Sequence, residues 1–202
     1  ANGKTGTPDA QTAGVPFAIT VNAVDAHWYI IDTVSDTVAI TSSDANAVLP
    51  ANAALAAGTQ TFSVTLKTAG GRTVTATDAS DGSKTANTSP SITVAAGAFI
   101  QLQILVPGET AAPGTTTGKT GAPATLNAGS VFTLTVNAVD DCWNRVASVT
   151  DIVHLSSTDP AAILPADQAL SGGTRTYTDA QEFRTAGTWT LTASDATDGL
   201  KT

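Results

Sequence analysis

PFAITVNAV (Pro16–Val24) and VFTLTVNAV (Val131–Val139) each alternate apolar and polar residues, and each runs directly into an Asp. In the first, Phe17, Ile19, Val21 and Ala23 share one face, while Ala18, Thr20, Asn22 and Val24 share the other. The second places Phe132, Leu134, Val136 and Ala138 in the same way. A period of two over this length is the signature of a half-buried strand. It also sets the register, because a one-residue slip would turn the whole apolar face to water.

The flanks of these two strands repeat as well. Gly3–Asp44 recurs as Gly118–Asp159, a constant 115 positions later. The same register carries VLPANAALAAGTQTF (Val48–Phe62) onto ILPADQALSGGTRTY (Ile163–Tyr177). After two extra residues in the second copy, TATDASDGSKT (Thr75–Thr85) matches TASDATDGLKT (Thr192–Thr202). So long a period is one domain per repeat, and the chain reads as part of a tandem array.

More alternating segments follow, with turn residues about every ten positions, and helix signals are nearly absent. Val38 and Ile40 point inward from Asp36–Ser42, as do Phe62, Val64 and Leu66 from Thr59–Lys67. Val74 and Ala76 do so from Arg72–Asp78, and Ile92 and Val94 from Ser91–Ala95. FIQLQILV (Phe99–Val106) places Ile100, Leu102, Ile104 and Val106 on one face. LPANAAL (Leu49–Leu55) reads as a short helical turn, and the Pro/Gly/Thr-rich stretch Val106–Gly129 is long enough to hide a short edge strand. Val21, Ile40, Phe62 and Val74 are expected at positions equivalent to Val136, Leu155, Tyr177 and Leu191. Tyr177 is expected at the rim or hydrogen-bonded, because a buried unpaired hydroxyl costs about 1–3 kcal/mol.

The expected fold is therefore all-β, two tandem sandwiches spanning residues 1–97 and 98–202. Only Ala96–Ala98 separates SITVA from FIQLQILV, too short for a flexible linker. With the boundary there, the first repeat lacks its first strand and the second lacks its last. Such open edges call for strand completion by an adjacent repeat or another copy.

Composition narrows the function classes. Of 202 residues, 42% are hydrophobic but only 5% aromatic, which suits thin cores of small residues. The net charge of −8, with nine Lys+Arg in no cluster, excludes nucleic acid as a partner. No apolar run approaches the ~18 residues of a membrane span. No signal peptide is present, yet the chain has no Met, so it reads as a processed product or an excerpt of a longer protein. A single cysteine, Cys142, cannot make an internal disulfide, and the Thr/Ser/Ala/Gly-rich composition points to an extracellular or cell-surface protein.

Two segments carry a resemblance. VNAVDAHWYII (Val21–Ile31) and VNAVDDCWNRV (Val136–Val146), with AGGRTVTA (Ala69–Ala76) and AGTWTLTA (Ala186–Ala193), resemble the bacterial immunoglobulin-like tandem repeats of invasin/intimin-type surface proteins. The family's usual Asp-x-x-Gly-Asn turn is replaced here. Asp25-Ala26-His27-Trp28 and Asp140-Asp141-Cys142-Trp143 put Trp where Gly would stand. The resemblance implies immunoglobulin-like sandwiches serving as stalks, adhesins or filaments, with no particular ligand.

The internal repeat also tests each chemical candidate. His27 faces Cys142, His154 faces Ala39, and Tyr29 faces Asn144, so the reactive types are the ones that vary. What persists is punctuation: Asp25/Asp140, Trp28/Trp143, Asp36/Asp151, Asp44/Asp159 and Asp81-Gly82/Asp198-Gly199. Asp78 with Asp81, and Asp195 with Asp198, are spaced as calcium ligands could be, but Asp-x-x-Asp-Gly is also an ordinary turn. Trp28 and Trp143 could stack on sugar rings or cap the open end of a sandwich. Asp25 and Asp140 beside them read as turn formers. A Lys–Asn cross-link is disfavoured, since Lys67 becomes Arg184 and Lys4/Lys119 and Lys84/Lys201 lie in polar contexts. Asn87-Thr88-Ser89 matches a glycosylation sequon at close to chance frequency for so Thr/Ser-rich a chain. No hydrolase motif occurs. No catalytic, cofactor-binding or metal residue is assigned.

The expected function is that of a non-enzymatic structural repeat of a secreted bacterial surface protein, in an extended stalk or extracellular filament. Its partners would be adjacent repeats or further copies, and a surface glycan or host-cell ligand is a second class. The alternatives are an adhesin or carbohydrate-binding module, and an accessory domain of a surface hydrolase.

Overall fold

The computed structural model describes residues 3–197, 199 and 201. The chain divides into two units, Ala1–Ala95 and Ala96–Thr202. All regular structure among the described residues is strand, as expected from segments rich in Val, Ile and Thr.

The first unit contains β1 (Gln11–Thr12), β2 (Pro16–Asn22), β3 (Thr37–Ser42), β4 (Ala53–Ala54), β5 (Thr59–Thr65), β6 (Gly70–Arg72), β7 (Val74–Asp78), β8 (Asn87–Thr88) and β9 (Ile92–Ala95). β2 pairs with β5. β4, β3, β7 and β8 form a second sheet in that order, and β9 lies between β6 and β1. β1 runs parallel to β9, a pairing with no local sequence signal. Ala53–Ala54 is strand rather than the expected helical turn, because its backbone pairs with Thr37 and Val38 across the sheet.

The second unit contains β10 (Gln101–Leu105), β11 (Glu109–Ala111), β12 (Lys119–Gly121), β13 (Val131–Val139), β14 (Ile152–Ser157), β15 (Gln168–Ala169), β16 (Thr174–Glu182) and β17 (Leu191–Asp195). β10, β13 and β16 form one sheet, and β15, β14 and β17 another. The stretch expected to hold an edge strand holds the hairpin β11–β12. Leu102, Phe132, Leu134, Val136 and Tyr177 of one sheet meet Val153, Leu155 and Ala193 of the other in a single core. In each unit the chain switches layers between consecutive long strands, the crossing pattern of an immunoglobulin-like sandwich.

Pairing registers match across the repeat. Ile19 lies opposite Phe62 as Leu134 lies opposite Tyr177, and Val21 opposite Gln60 as Val136 opposite Arg175. Ser42 pairs Val74 as Ser157 pairs Leu191. Of the residues expected inward from β3, β5, β7 and β9 of the first unit, Val38, Ile40, Phe62, Val64, Leu66, Val74, Ile92 and Val94 are buried, and Ala76 is half-buried. Two further expectations fail. Ile100 does not join the buried face of its strand but is 50% exposed, and Tyr177 is neither at the rim nor hydrogen-bonded. Phe99, one residue earlier, packs on the core instead, so Ile100 faces away although its N–H pairs with the Val139 carbonyl. Tyr177 lies mid-strand on the inward face of β16, and the alternation there outweighs the hydroxyl.

The two extra residues of the second copy form a bulge. Phe132 pairs Gln181 and Leu134 pairs Tyr177, so Thr178–Ala180 span the distance that Ser63 spans alone, and Asp179 takes φ 45°. Gln181 thereby occupies the place of Val64. It is buried, and its side-chain amide donates to the carbonyls of Phe132 and Tyr177. Two residues is one full strand period, so the insertion keeps the following residues on their faces.

Candidate functional site

The turn after β2 and β13 is built by its aspartate. Asp25 Oδ1 accepts the N–H groups of His27 and Tyr29 at 2.8 and 2.9 Å. Asp140 Oδ1 accepts those of Cys142 and Asn144 at 2.9 and 2.8 Å. With the carboxylate engaged this way, the backbone is forced around, and Trp28 and Trp143 take φ 69° and 65°. That is the left-handed region which favours Gly. Each Trp ring lies on a glycine: a Cβ on Gly3 would come within 2.2 Å of Trp28 Cδ2, and one on Gly118 within 2.2 Å of Trp143 Cδ2. The Trp143 Nε1–H donates to the Thr116 carbonyl at 3.3 Å. These aromatics clamp the chain entering each repeat.

Asp44 and Asp159 have a second structural task. Asp44 Oδ2 accepts the N–H groups of Lys67 and Thr68, and Asp159 Oδ2 those of Arg184 and Thr185. Burial alone would push both carboxyls up. The backbone donors outweigh it and hold both below the usual carboxylate range. Nearby, Arg72 Nε–H donates to the Thr68 carbonyl and Trp189 Nε1–H to the Thr185 carbonyl, so two unlike side chains make one equivalent bond. The repeat does not single out Trp189, because its counterpart is Arg72.

The acidic candidates are turn formers. Asp78 Oδ1 accepts the N–H groups of Ser80 and Asp81, and Asp81 Oδ1 that of Ser83. Asp81 also pairs with Lys84 at 2.8 Å, and hydrogen bonds from Lys84 and Ser83 keep its carboxyl strongly acidic. Asp36 is shifted up by burial and by its hydrogen bond to Asp78. Asp195 Oδ1 accepts Thr197 N–H, while Asp198 lies outside the described residues. No group of three or more His, Cys, Asp or Glu able to hold a metal occurs among the described residues. The lysines are engaged too. Lys4 donates to Asn87 Oδ1 and the Thr88 carbonyl, and Lys119 pairs with Glu109. Lys201 approaches Asp195 at 4.0 Å and lies over the Phe99 ring, so its setting is not the solvated one its sequence suggested.

The largest difference between the copies lies along β2 and β13. Phe132, Leu134, Val136, Ala138 and Val139 are all buried, whereas Phe17, Ile19, Val21, Ala23 and Val24 are only half-buried. Beside β2 runs a groove of about 660 Å³, lined by Ile19, Val21 and Ala23 on one wall and Val38, Val74 and Ala76 on the other. At its end stand Trp28 (39% exposed) and Ile31 (38%), and the turn between them carries the exposed Tyr29 (73%) and Ile30 (54%). No α-helix occurs among the described residues, and none is long and apolar enough to cross a membrane.

No protein-family model matches the chain, and no curated protein sequence does. Among solved structures, the chain is similar to the D0-D1 domain of intimin at 15% identity and a TM-score of 0.36, covering 94% of this chain and 87% of that one. It is similar to a C-terminal 282-residue fragment of intimin, in complex with the intimin-binding domain of the translocated intimin receptor, at 16% identity and 0.34, covering 92% and 57%. It is also similar to Bacteroides uniformis beta-glucuronidase 3 at 11% identity and 0.34, covering 94% of this chain but 22% of the enzyme.

Proposed function

We propose that this chain is a non-enzymatic structural repeat of a secreted bacterial surface protein, whose task is to space or assemble. The observation that carries this reading is the role of the side chains that persist between copies. Asp25/Asp140, Asp44/Asp159 and Trp28/Trp143 each bind or clamp backbone in the same way in both units. The residues suited to chemistry, His27, Cys142, Tyr29 and His154, each have a different residue type in the other copy. Selection for a shared reaction or ligand would leave the opposite pattern.

Single-molecule stretching tests the mechanical part. Two unfolding steps are expected, each releasing roughly 30 nm for about 90 ordered residues at ~3.6 Å apiece. The binding-module alternative draws on the exposed Trp28–Tyr29 pair. A glycan array and host-cell overlay test it with the intact chain. Saturable binding that Trp28→Ala or Tyr29→Ala abolishes would overturn the scaffold reading.

A further inference from the structure

The second unit shows what its own version of the groove contains. β10 lies along β13 with Leu102 opposite Ala138, Gln103 opposite Asn137 and Ile104 opposite Val136. It also packs against β17. Leu102 is in the core, and Phe99 and Ile104 pack on it. Subtracting the repeat spacing turns β13 into β2 and β17 into β7, the two walls of the groove in the first unit. The groove is therefore a β10-shaped slot.

Polar groups in the slot match as well. Gln103 is 2% exposed and is held at both ends: its amide donates to the Gly118 carbonyl at 2.8 Å, and its Oε1 accepts from Asn137 Nδ2 at 3.1 Å. Asn137 is itself fixed by Thr174, whose hydroxyl donates to its Oδ1 at 2.7 Å. The first unit has Asn22 with Thr59 in the same bond at 2.8 Å, and Gly3 and Asn22 both line the groove. Backbone groups point the same way. Ala23 N–H donates to Gly58 on the β5 side, so alternation aims the N–H groups of Thr20 and Asn22 at the open edge.

The exposed cluster at the groove's end has a covered counterpart too. In the second unit Gly97 N–H, just ahead of β10, donates to Asp140 Oδ2 at 2.7 Å, and Gly114 N–H donates to the Cys142 carbonyl. Asp140, Cys142 and Asn144 are buried there, while Asp25, His27 and Tyr29 are exposed.

We propose that the groove beside β2 is a binding site for one β-strand of the β10 type, with apolar residues at the Phe99, Leu102 and Ile104 positions and Gln at the Gln103 position. Its source is a preceding repeat of the same kind. β10 itself follows the last strand of the first unit, β9, after only five residues, so each repeat carries behind its final strand the strand that completes the next. The pairing would set the Gln101, Leu102, Gln103, Ile104 and Leu105 positions opposite Val24, Ala23, Asn22, Val21 and Thr20. This deepens the proposed spacing role by naming the contact that links repeat to repeat, and it rests on that reading.

The test grafts a second copy of Ala96–Thr117 directly ahead of Gly3 in the full chain, just as Thr117 leads into Gly118. Occupancy is expected to slow amide exchange at Thr20 and Asn22 by roughly a hundredfold and to raise the melting temperature of the first unit alone. A control graft carrying Leu102→Asp and Ile104→Asp in the added copy is expected to lose both effects. Exchange at Thr20 and Asn22 unchanged by the intact graft would overturn the proposal, as would equal protection by the control. Neither failure would alter the stretching or glycan results, so the two readings fail separately.

Discussion

Replacing Tyr177 with Phe should stabilise the second unit. The side chain is 2% exposed in the core, with its hydroxyl bonded to no described group, and burial raises its pKa so that it stays neutral. Leaving such a hydroxyl unpaired costs about 1–3 kcal/mol. Its removal leaves a void of roughly one oxygen atom, about 20 Å³, for which a loss of about 0.5 kcal/mol is expected. The net gain is about 1 kcal/mol, or about 4 °C in melting temperature for a domain of this size. The first unit already holds the product: Phe62, 3% exposed, pairs with Ile19 as Tyr177 pairs with Leu134. Scanning calorimetry of the two transitions measures the effect, with the first unit as internal reference. Phe62→Tyr should produce the opposite shift in the first transition. If Tyr177→Phe leaves the second transition unmoved or lowers it, the hydroxyl has a partner and the reasoning is wrong.

Three further outcomes are expected. Phe62→Ala should destabilise the first unit by about 3–5 kcal/mol in urea titration, whereas His27→Ala, at an exposed turn position, should change it by less than about 0.5 kcal/mol. Gly118→Ala should destabilise the second unit by more than about 1 kcal/mol, because its Cβ would meet the Trp143 ring at a φ of +70°; thermal melts would show it. Asp44 has its folded pKa lowered from 3.8, so its stabilisation is present above that value and is lost as pH falls through the folded pKa. The melting temperature of the first unit should therefore drop below about pH 4, and Asp44→Asn should lower it at neutral pH and flatten that acid limb. An unchanged acid limb in the variant would remove Asp44 from the explanation.

Much of this architecture is written locally. A period of two in Pro16–Val24 and Val131–Val139 dictates a strand and its buried face from the chain alone. The persistence of Asp25/Asp140 and Asp44/Asp159 against the turnover of His27/Cys142 marks those acids as architectural from the chain alone. Their bonds to nearby backbone N–H groups are the physical form of that reading. Other features depend on which distant strand lies alongside. The parallel pairing of β1 with β9 and the burial of Gln103 leave no periodic trace, and the two extra residues of the second copy, visible as a break in the repeat, do not reveal that they bulge and put Gln181 in the place of Val64, because each is decided by a neighbour far away in sequence. VNAV shows the division most plainly. Val21, Ala23 and Val24 are half-buried and Asn22 is exposed in one unit, whereas Val136–Val139 are all buried in the other. Alternation determined which way they face, but only the presence of β10 beside β13 determined whether that face is covered, since burial belongs to the packed pair of strands and not to either strand alone.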